Sequence, residues 1–541
     1  KSMFKQSLYI FILAFLLACG NKAPEPVVDA VPEIPAYQNP LILNASVLEL
    51  QAMVEAGELT YAELTRFYLD RINAYNPALK AVIAVNPDAL KYAGQRDAER
   101  ASVAQRGPLY GMPILLKDNI EAGDVLATTA GSLLLKDNVT WRDATLVARL
   151  RQQGAIILGK ANLSEWANFR SERSSSGWSS VGGQTRNPYD LQRSPCGSSS
   201  GSAVAVAAKL APLAIGTETD GSIVCPASVN GVVGIKPTVG LVSRAGIVPL
   251  SPSQDTAGPM AASVADAAIL LSGMIEKQAV AIDTFALERP DTINFDYPSA
   301  IGSVRSADKI RVATIANSGG WHSDVDALFS KTMDKLGKAG MHVNPDQLQL
   351  EDDAFAKEYD LLLYEFKFSL NHYLGSLPTR HASLTLEKLI ELNQAQAGQV
   401  MPYFGQEIFI KAQAKGGLDE EEYQNIRKEL SEKVVSNGLE AFFHEHPEVQ
   451  ALIVPSGGPA WSIDLVNGDH FLGNSSSYAA VSGYPSITLP MGEVHGLPIG
   501  LSLIARPYQE FDMLAIADKI EKILAVNLEP TAFQSKVNPD N

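Results

Sequence analysis

Apolar residues along this chain recur at two periods, and the two alternate. Residues 48 to 103 follow the helical period, with segments at Leu48 to Glu58, Tyr61 to Tyr75 (entered through Thr60 as a cap) and Pro87 to Val103. These predict an N-terminal helical layer packed on a core. Short apolar runs follow: Pro113 to Leu116 with Lys117 at its end, Ala155 to Leu158, Leu213 to Thr217, Val232 to Ile235 and Gly246 to Leu250. Each is short enough for a strand and bounded by turn residues. Between them, Ala144 to Gln153, Ser202 to Leu210 and Ser263 to Ile275 return to the helical period, and Lys309 to Ile315 followed by Asp324 to Gly337 repeats the pairing. Glu351 to Leu374, Ser383 to Leu392 and Glu420 to Phe443 predict helices of mixed charge. Ala451 to Pro455, Ser486 to Leu489 and Ile499 to Ile504 predict strands that rejoin the sheet, and Glu510 to Leu524 a closing amphipathic helix. Strands alternating with helices predict an α/β layered fold.

The first 44 residues do not share this pattern. Lys5 precedes an apolar run from Leu8 to Ala18, too short to span a bilayer, and a basic start before such a run reads as a secretory signal. Its end, Leu16-Leu17-Ala18-Cys19, resembles a bacterial lipoprotein signal, cleaved before Cys19 with lipid on that thiol. The expected location is therefore the cell envelope, lipid-anchored, or secretion if Cys19 is not modified. Pro24, Pro26, Pro32, Pro35 and Pro40 then predict a semi-rigid spacer, placing the boundaries at 1–18 for the signal, 19–44 for the spacer and 45–530 for the globular body.

Composition narrows the class of partner. Of 541 residues, 46% are hydrophobic and 19% charged, which suits a globular protein with a deep core. The net charge of −16 opposes binding to nucleic acid, whose phosphates need a basic face. Oligomeric state is left open. Besides Cys19 the chain has Cys196 and Cys225. An oxidising compartment allows these two to pair, but their placement beside the candidate chemistry favours two free buried thiols.

That chemistry centres on two serine-and-glycine loops, Gly197-Ser198-Ser199-Ser200-Gly201-Ser202 and Thr217-Glu218-Thr219-Asp220-Gly221-Ser222, separated by one helix and one strand. Glycine lets backbone N–H groups approach a ligand closely, and a helix start adds unpaired N–H groups. Together they suit a hydroxyl nucleophile and an oxyanion. The eight histidines all lie at or after His322, none beside these loops and none at metal-binding helical spacing, so no metal is expected. Gly197 to Gly201 also fits G-x-S-x-G, with Ser199 as nucleophile and a distant His as base. That arrangement needs a strand leading into the turn, and Leu191-Gln192-Arg193-Ser194-Pro195 is a poor one.

Both loops, with Gly111-Met112-Pro113-Ile114-Leu115-Leu116-Lys117-Asp118-Asn119-Ile120 upstream, Gly182 to Tyr189, and Gly473 to Gly492 downstream, resemble the amidase signature family of serine amidohydrolases. The resemblance runs from about Leu48 to Leu524, with the signature core at about 110–260 and a variable helical part at about 290–445. It implies a mixed twisted β-sheet covered by helices on both faces. It also implies Ser222 as nucleophile, Ser198 as a bridging serine after a cis peptide bond, Lys117 as base, and an oxyanion hole from the backbone of Thr219, Asp220 and Gly221 through Ser222. No cofactor is implied. Thr-Glu-Thr-Asp-Gly-Ser in place of the commoner Thr-Asp-Thr-Gly-Gly-Ser is similar to bacterial peptide amidases, so the expected substrate is a peptide carboxamide. Two departures bear on selectivity. Asp220 replaces a glycine, where its carboxylate is expected to repel a substrate carboxylate, and Val224 replaces an arginine. The rival readings are an amidase for other uncharged acyl or aryl amides, an amidotransferase component that works with partner subunits on charged tRNA, and a non-catalytic peptide-binding lipoprotein.

Overall fold

Runs that are apolar at consecutive positions suit a sheet covered on both faces, since neighbouring side chains point to opposite sides. The computed structural model, which describes residues 36–275, 287–378 and 380–534, contains such a sheet. Its strands, in chain order, are β1 Val82–Val85, β2 Pro113–Lys117, β3 Ile156–Ala161, the two-residue β4 Trp178–Ser179 and β5 Gly183–Gln184, β6 Leu213–Glu218 and β7 Val233–Lys236. They continue with β8 Thr256–Ala261, β9 Arg311–Ala313, β10 His342–Val343, β11 Ala451–Pro455, β12 Ser486–Val494 and β13 Leu497–Ala505. β4 and β5 pair with each other, and the rest form one 11-stranded sheet in the order β1-β3-β2-β6-β8-β7-β12-β13-β11-β9-β10. β2 is parallel to both β3 and β6, and β9 is parallel to β10 and β11. The other neighbours are antiparallel, so the sheet is mixed.

Every residue of β2, β3, β6, β7, β8, β11 and β13 is buried. β11 shows why. Ala451 and Ile453 belong to the main core, while Leu452 and Val454 pack into a second one with Phe442 and Phe443 on the opposite face. The N-terminal helices form at Val47–Glu55 and Tyr61–Leu79, each opened by a reciprocal capping box, Ser46 with Glu49 and Thr60 with Glu63. The middle of the chain supplies Glu358–Gly375, Leu386–Ala395 and Glu407–Ala414, which share a separate apolar cluster around Phe366 and Phe409.

The structure corrects several expectations. Gly246 to Leu250 is loop, held by a single bridge between Ile120 and Ile247. The strand at this point is β8, whose Gly258 and Pro259 read against a strand. Gly258 is accommodated because a Cβ there would lie 1.8 Å from the Ile235 carbonyl oxygen. The helices Val224–Val229 and Ser477–Ser482 were also missed, being too short to show a period. The expected signal segment 1–18, Cys19 and the spacer up to residue 35 lie outside the described residues. The end of the spacer docks on the body instead of standing clear of it. Tyr37 meets Tyr75 edge-on at 6.0 Å, the Tyr37 carbonyl accepts from Arg71 Nη1 at 2.8 Å, and Ile42 is buried. Among the described residues no helix is long and apolar enough to cross a membrane.

Candidate active site

β2 and β6 are adjacent and parallel, so their carboxyl ends open on the same side, the usual place for a site in an open α/β sheet. Lys117 is the last residue of β2, and Thr217 and Glu218 end β6. The side chain of Lys117 is fully buried. Its Nζ donates to Ser198 Oγ at 2.7 Å, to the Thr217 carbonyl at 3.0 Å and to Thr217 Oγ1 at 2.8 Å. Asn119 Nδ2 also reaches Thr217 Oγ1, at 2.9 Å. Ser198 follows a cis Gly197–Ser198 bond, and its carbonyl accepts from the Ser164 N–H at 3.1 Å. Only glycine fits at 197, because a Cβ would come within 2.1 Å of Ser164 Oγ.

The second loop turns over Glu218. Its Oε2 accepts from the N–H groups of Ile223 at 2.7 Å and Val224 at 2.9 Å, which fixes the start of the helix Val224–Val229. Between these anchors Gly221 takes φ +81°, and a Cβ there would sit 2.9 Å from Asn474 Nδ2 and Ser476 Oγ. Among the described residues the N–H groups of Thr219, Asp220, Gly221 and Ser222 find no acceptor. Ser199 N donates to the Ser222 carbonyl at 3.1 Å and so ties the two loops together. Thr219 Oγ1 donates to Asp255 at 2.6 Å, and Asp255 also holds the N–H groups of Leu250 and Ser251. Thr219 through Ser222 line a cavity of about 280 Å³, walled by Phe169, Leu250, Leu362, Trp461 and Phe471.

Two buried lysines near this site differ in their partners. Lys160, at the end of β3, pairs with the Asp118 carboxylate at 2.8 Å. Lys117 has only hydroxyl and carbonyl oxygens around its amine. Burial therefore lowers its pKa from 10.5 to about 7, against the weaker pull of Glu218 and Asp255. Half the amine is then neutral at neutral pH, and a neutral amine can accept a proton. Lys236, also buried and lowered to about 8, donates to the carbonyls of Pro237 and Tyr484 instead.

Of the residues singled out from sequence, Lys117 and Ser198 are thus bonded to each other, and Thr219, Asp220, Gly221 and Ser222 line one cavity with Gly197. Two expectations about their surroundings change. The Asp220 carboxylate lines the cavity but is already engaged there, since Ser476 Oγ donates to its Oδ1 and Ser477 Oγ to its Oδ2, the latter at 2.6 Å. Cys196 and Cys225 are not free thiols but a disulfide, with Cα atoms 6.1 Å apart. They meet because the two loops that carry them converge, and they pack with Val229, Ala460 and Trp461. The G-x-S-x-G reading also fails here. Ser199 is fully buried, its Oγ donates to the Thr217 carbonyl at 2.9 Å, and it accepts from the Thr217 N–H. Among the described residues one group has metal-ligand spacing, His322, Asp324 and His495, at the surface. There His322 Nδ1 caps a helix by accepting from the Asp324 N–H.

Sequence reasoning missed the residues that complete the site. Thr217 and Asp255 arrange the lysine and the loop, while Trp461, Asp469 and Phe471 line the cavity from a segment far along the chain. Only Thr217 lay inside a stretch already singled out. A family model described as Amidase matches residues 63–514. The chain is 37% identical to a probable amidase of Arabidopsis thaliana over 495 residues, 90% of this chain and 92% of that protein. It is 34% identical to a glutamyl-tRNA(Gln) amidotransferase subunit of Symbiobacterium thermophilum, over 88% of this chain and 96% of that one. The crystal structure of the native peptide amidase from Stenotrophomonas maltophilia superposes with a TM-score of 0.84 at 46% identity, covering 90% of this chain and 98% of that one.

Proposed function

This chain belongs to the amidase family and is an amidase hydrolase; we propose that its substrates are peptides ending in a carboxamide, which it hydrolyses to the free acid and ammonia. The observation that carries the proposed mechanism is a buried amine bonded to a serine hydroxyl with no carboxylate among its hydrogen-bond partners. In its neutral form Lys117 donates to the two oxygens of Thr217 and turns its lone pair to Ser198.

In this mechanism Ser222 Oγ attacks the amide carbon and passes its proton to Ser198, whose own proton goes to Lys117. The oxyanion forms against the unpaired N–H groups of residues 219 to 222. Collapse of the tetrahedral intermediate breaks the C–N bond. Lys117 returns a proton through Ser198, so the nitrogen leaves as ammonia and an ester remains on Ser222. Water then attacks that ester by the same relay, releasing the acid and restoring the serine. Support for peptide amides over other amides comes from the likeness to the Stenotrophomonas peptide amidase and from the apolar walls of the cavity. The test is ammonia release across a panel of peptide amides and simple acyl and aryl amides, with fluorophosphonate labelling of Ser222 as the report on the nucleophile. Labelling retained in Ser222→Ala, or turnover confined to simple amides, would overturn the reading.

We also propose a lipid anchor on Cys19, which would hold the enzyme in the cell envelope. Its support is the Leu16-Leu17-Ala18-Cys19 sequence together with the disulfide between Cys196 and Cys225, which suits an oxidising compartment. Cys19→Ser should move the protein from the membrane fraction to the soluble one.

A further inference from the structure

The cavity beside Ser222 is acidic as well as apolar. Among the described residues that line it there is no Lys, Arg or His, while Asp220 and Asp469 are both present. The two carboxylates are not equivalent. Asp220 is held by two serine hydroxyls. Asp469 accepts from the Ser176 N–H at 2.9 Å through Oδ2, and the Ser176 hydroxyl and the Trp461 indole also approach it as donors, although its buried Oδ1 makes no hydrogen bond of ordinary geometry. The indole N–H of Trp461, buried with no other partner, is directed at this carboxylate. It lies near enough to favour the charged form of Asp469, against the burial that raises its pKa. A partly buried carboxylate whose Oδ1 has no donor at ordinary hydrogen-bond distance can accept a further one. The same cavity is lined by two aromatic rings, Trp461 and Phe471, packed edge-to-face at 5.4 Å, with Phe471 half exposed. Aromatic faces attract cations, and a carboxylate lining the same cavity pairs with one.

We propose that this wall of the cavity is a cation subsite, in which Asp469, with Trp461 and Phe471 lining the same cavity, receives an ammonium or guanidinium group on the acyl part of the substrate. The inference rests on the reading of the cavity as the acyl site for Ser222. It makes substrates cationic near the scissile amide the preferred class, and it makes acidic ones the poorest. The positive charge has two sources in a peptide amide: the side chain of the last residue, or the free α-amino group of an amino-acid amide.

The test compares near-isosteric pairs. N-acetyl-alanyl-arginine amide against its citrulline counterpart reports on the side-chain source, and leucine amide against 2-hydroxy-4-methylpentanamide on the α-amino source. A charged hydrogen bond in a partly buried site corresponds to roughly tenfold or more in kcat/KM. The wild type should therefore favour the cationic member of one pair by about tenfold, and Asp469→Asn should reduce that ratio to near unity while turnover of the neutral member persists. Asp469→Glu keeps the charge and should retain the sign of the preference. Fluorophosphonate labelling of Ser222 in the variants shows that the catalytic loops are intact, so a failed subsite is told apart from a failed active site. Two results would overturn the proposal. One is a wild-type ratio near unity for both pairs. The other is an Asp469→Asn variant that loses cationic and neutral substrates alike, which would make Asp469 a structural anchor for the loop through Ser176.

Discussion

Replacing Lys117 by methionine tests the electrostatics of the site independently of any substrate. The amine is fully buried, and its pKa is lowered from 10.5 to about 7 by desolvation. Between those values the unfolded chain binds a proton that the folded chain does not, so stability rises with pH across this window and is lowest below it. The burden on folding amounts to about 4 kcal/mol at about pH 7 and about 1 kcal/mol at about pH 10. Methionine is close in length and apolar, and removes the burden at both. It also forfeits the three hydrogen bonds to Ser198 and Thr217, at about 1 kcal/mol each. The balance changes sign: Lys117→Met should be more stable than wild type by about 1 kcal/mol near pH 7 and less stable by about 2 kcal/mol near pH 10. Denaturant midpoints of the two proteins measured at both pH values read this crossing directly, and the same variant should have no amidase turnover at either. In the wild type, kcat/KM should rise with pH through about 7, the limb that reports the neutral amine. A stability difference that does not move with pH would refute the claim that this lysine is held near neutrality by burial.

Other parts of the site make their own predictions. Gly221→Ala would place a Cβ 2.9 Å from Asn474 and Ser476 at a φ of +81°. Turnover should fall at least about a hundredfold, the scale for losing an oxyanion donor, as measured by kcat with Ser222 labelling followed in parallel. Asp220→Asn cannot accept from both Ser476 and Ser477 and should lower kcat/KM for neutral and acidic amides by the same factor; a selective gain with acidic amides would show that the charge faces the substrate after all. Cys225→Ser opens a loop of sequence separation 29 and should lower stability by about 3.5 kcal/mol in the chain-entropy picture, read as a fall in denaturant midpoint that a reductant reproduces in the wild type.

How much of this was legible in the sequence depended on the range of the cause. The strands ending in Lys117 and Thr217 showed themselves because burial on both faces requires continuous apolar runs, and that requirement is local. β8 did not, because Gly258 is dictated by the Ile235 carbonyl on a neighbouring strand, a contact that no propensity encodes. The roles of Lys117, Ser198 and Ser222 came from resemblance; the residues by themselves left a histidine-assisted Ser199 open until the structure placed its hydroxyl against the Thr217 backbone. The cysteines were misjudged for a related reason. Proximity to the chemistry argued for free thiols, whereas what decides pairing is that the loops carrying Cys196 and Cys225 converge on the same cavity.

The same convergence explains why selectivity was the hardest property to read. The proposed nucleophile, the lysine and the proposed oxyanion loop are held by two neighbouring strands and one helical return, all within about a hundred consecutive residues. The acyl wall is assembled from elsewhere: Leu362 from the variable helix Glu358–Gly375, and Trp461, Asp469 and Phe471 from the segment between β11 and the helix Ser477–Ser482. From sequence, Asp220 was the carboxylate expected to set substrate charge because it lies two residues from Ser222. In the fold it is held by Ser476 and Ser477, and a second carboxylate, Asp469, nearly 250 residues further on, lines the same cavity with Trp461 and Phe471. The two serine-and-glycine loops can therefore stay as they are while this wall changes, and substrate preference in such an enzyme is free to vary without disturbing the proposed lysine–serine relay.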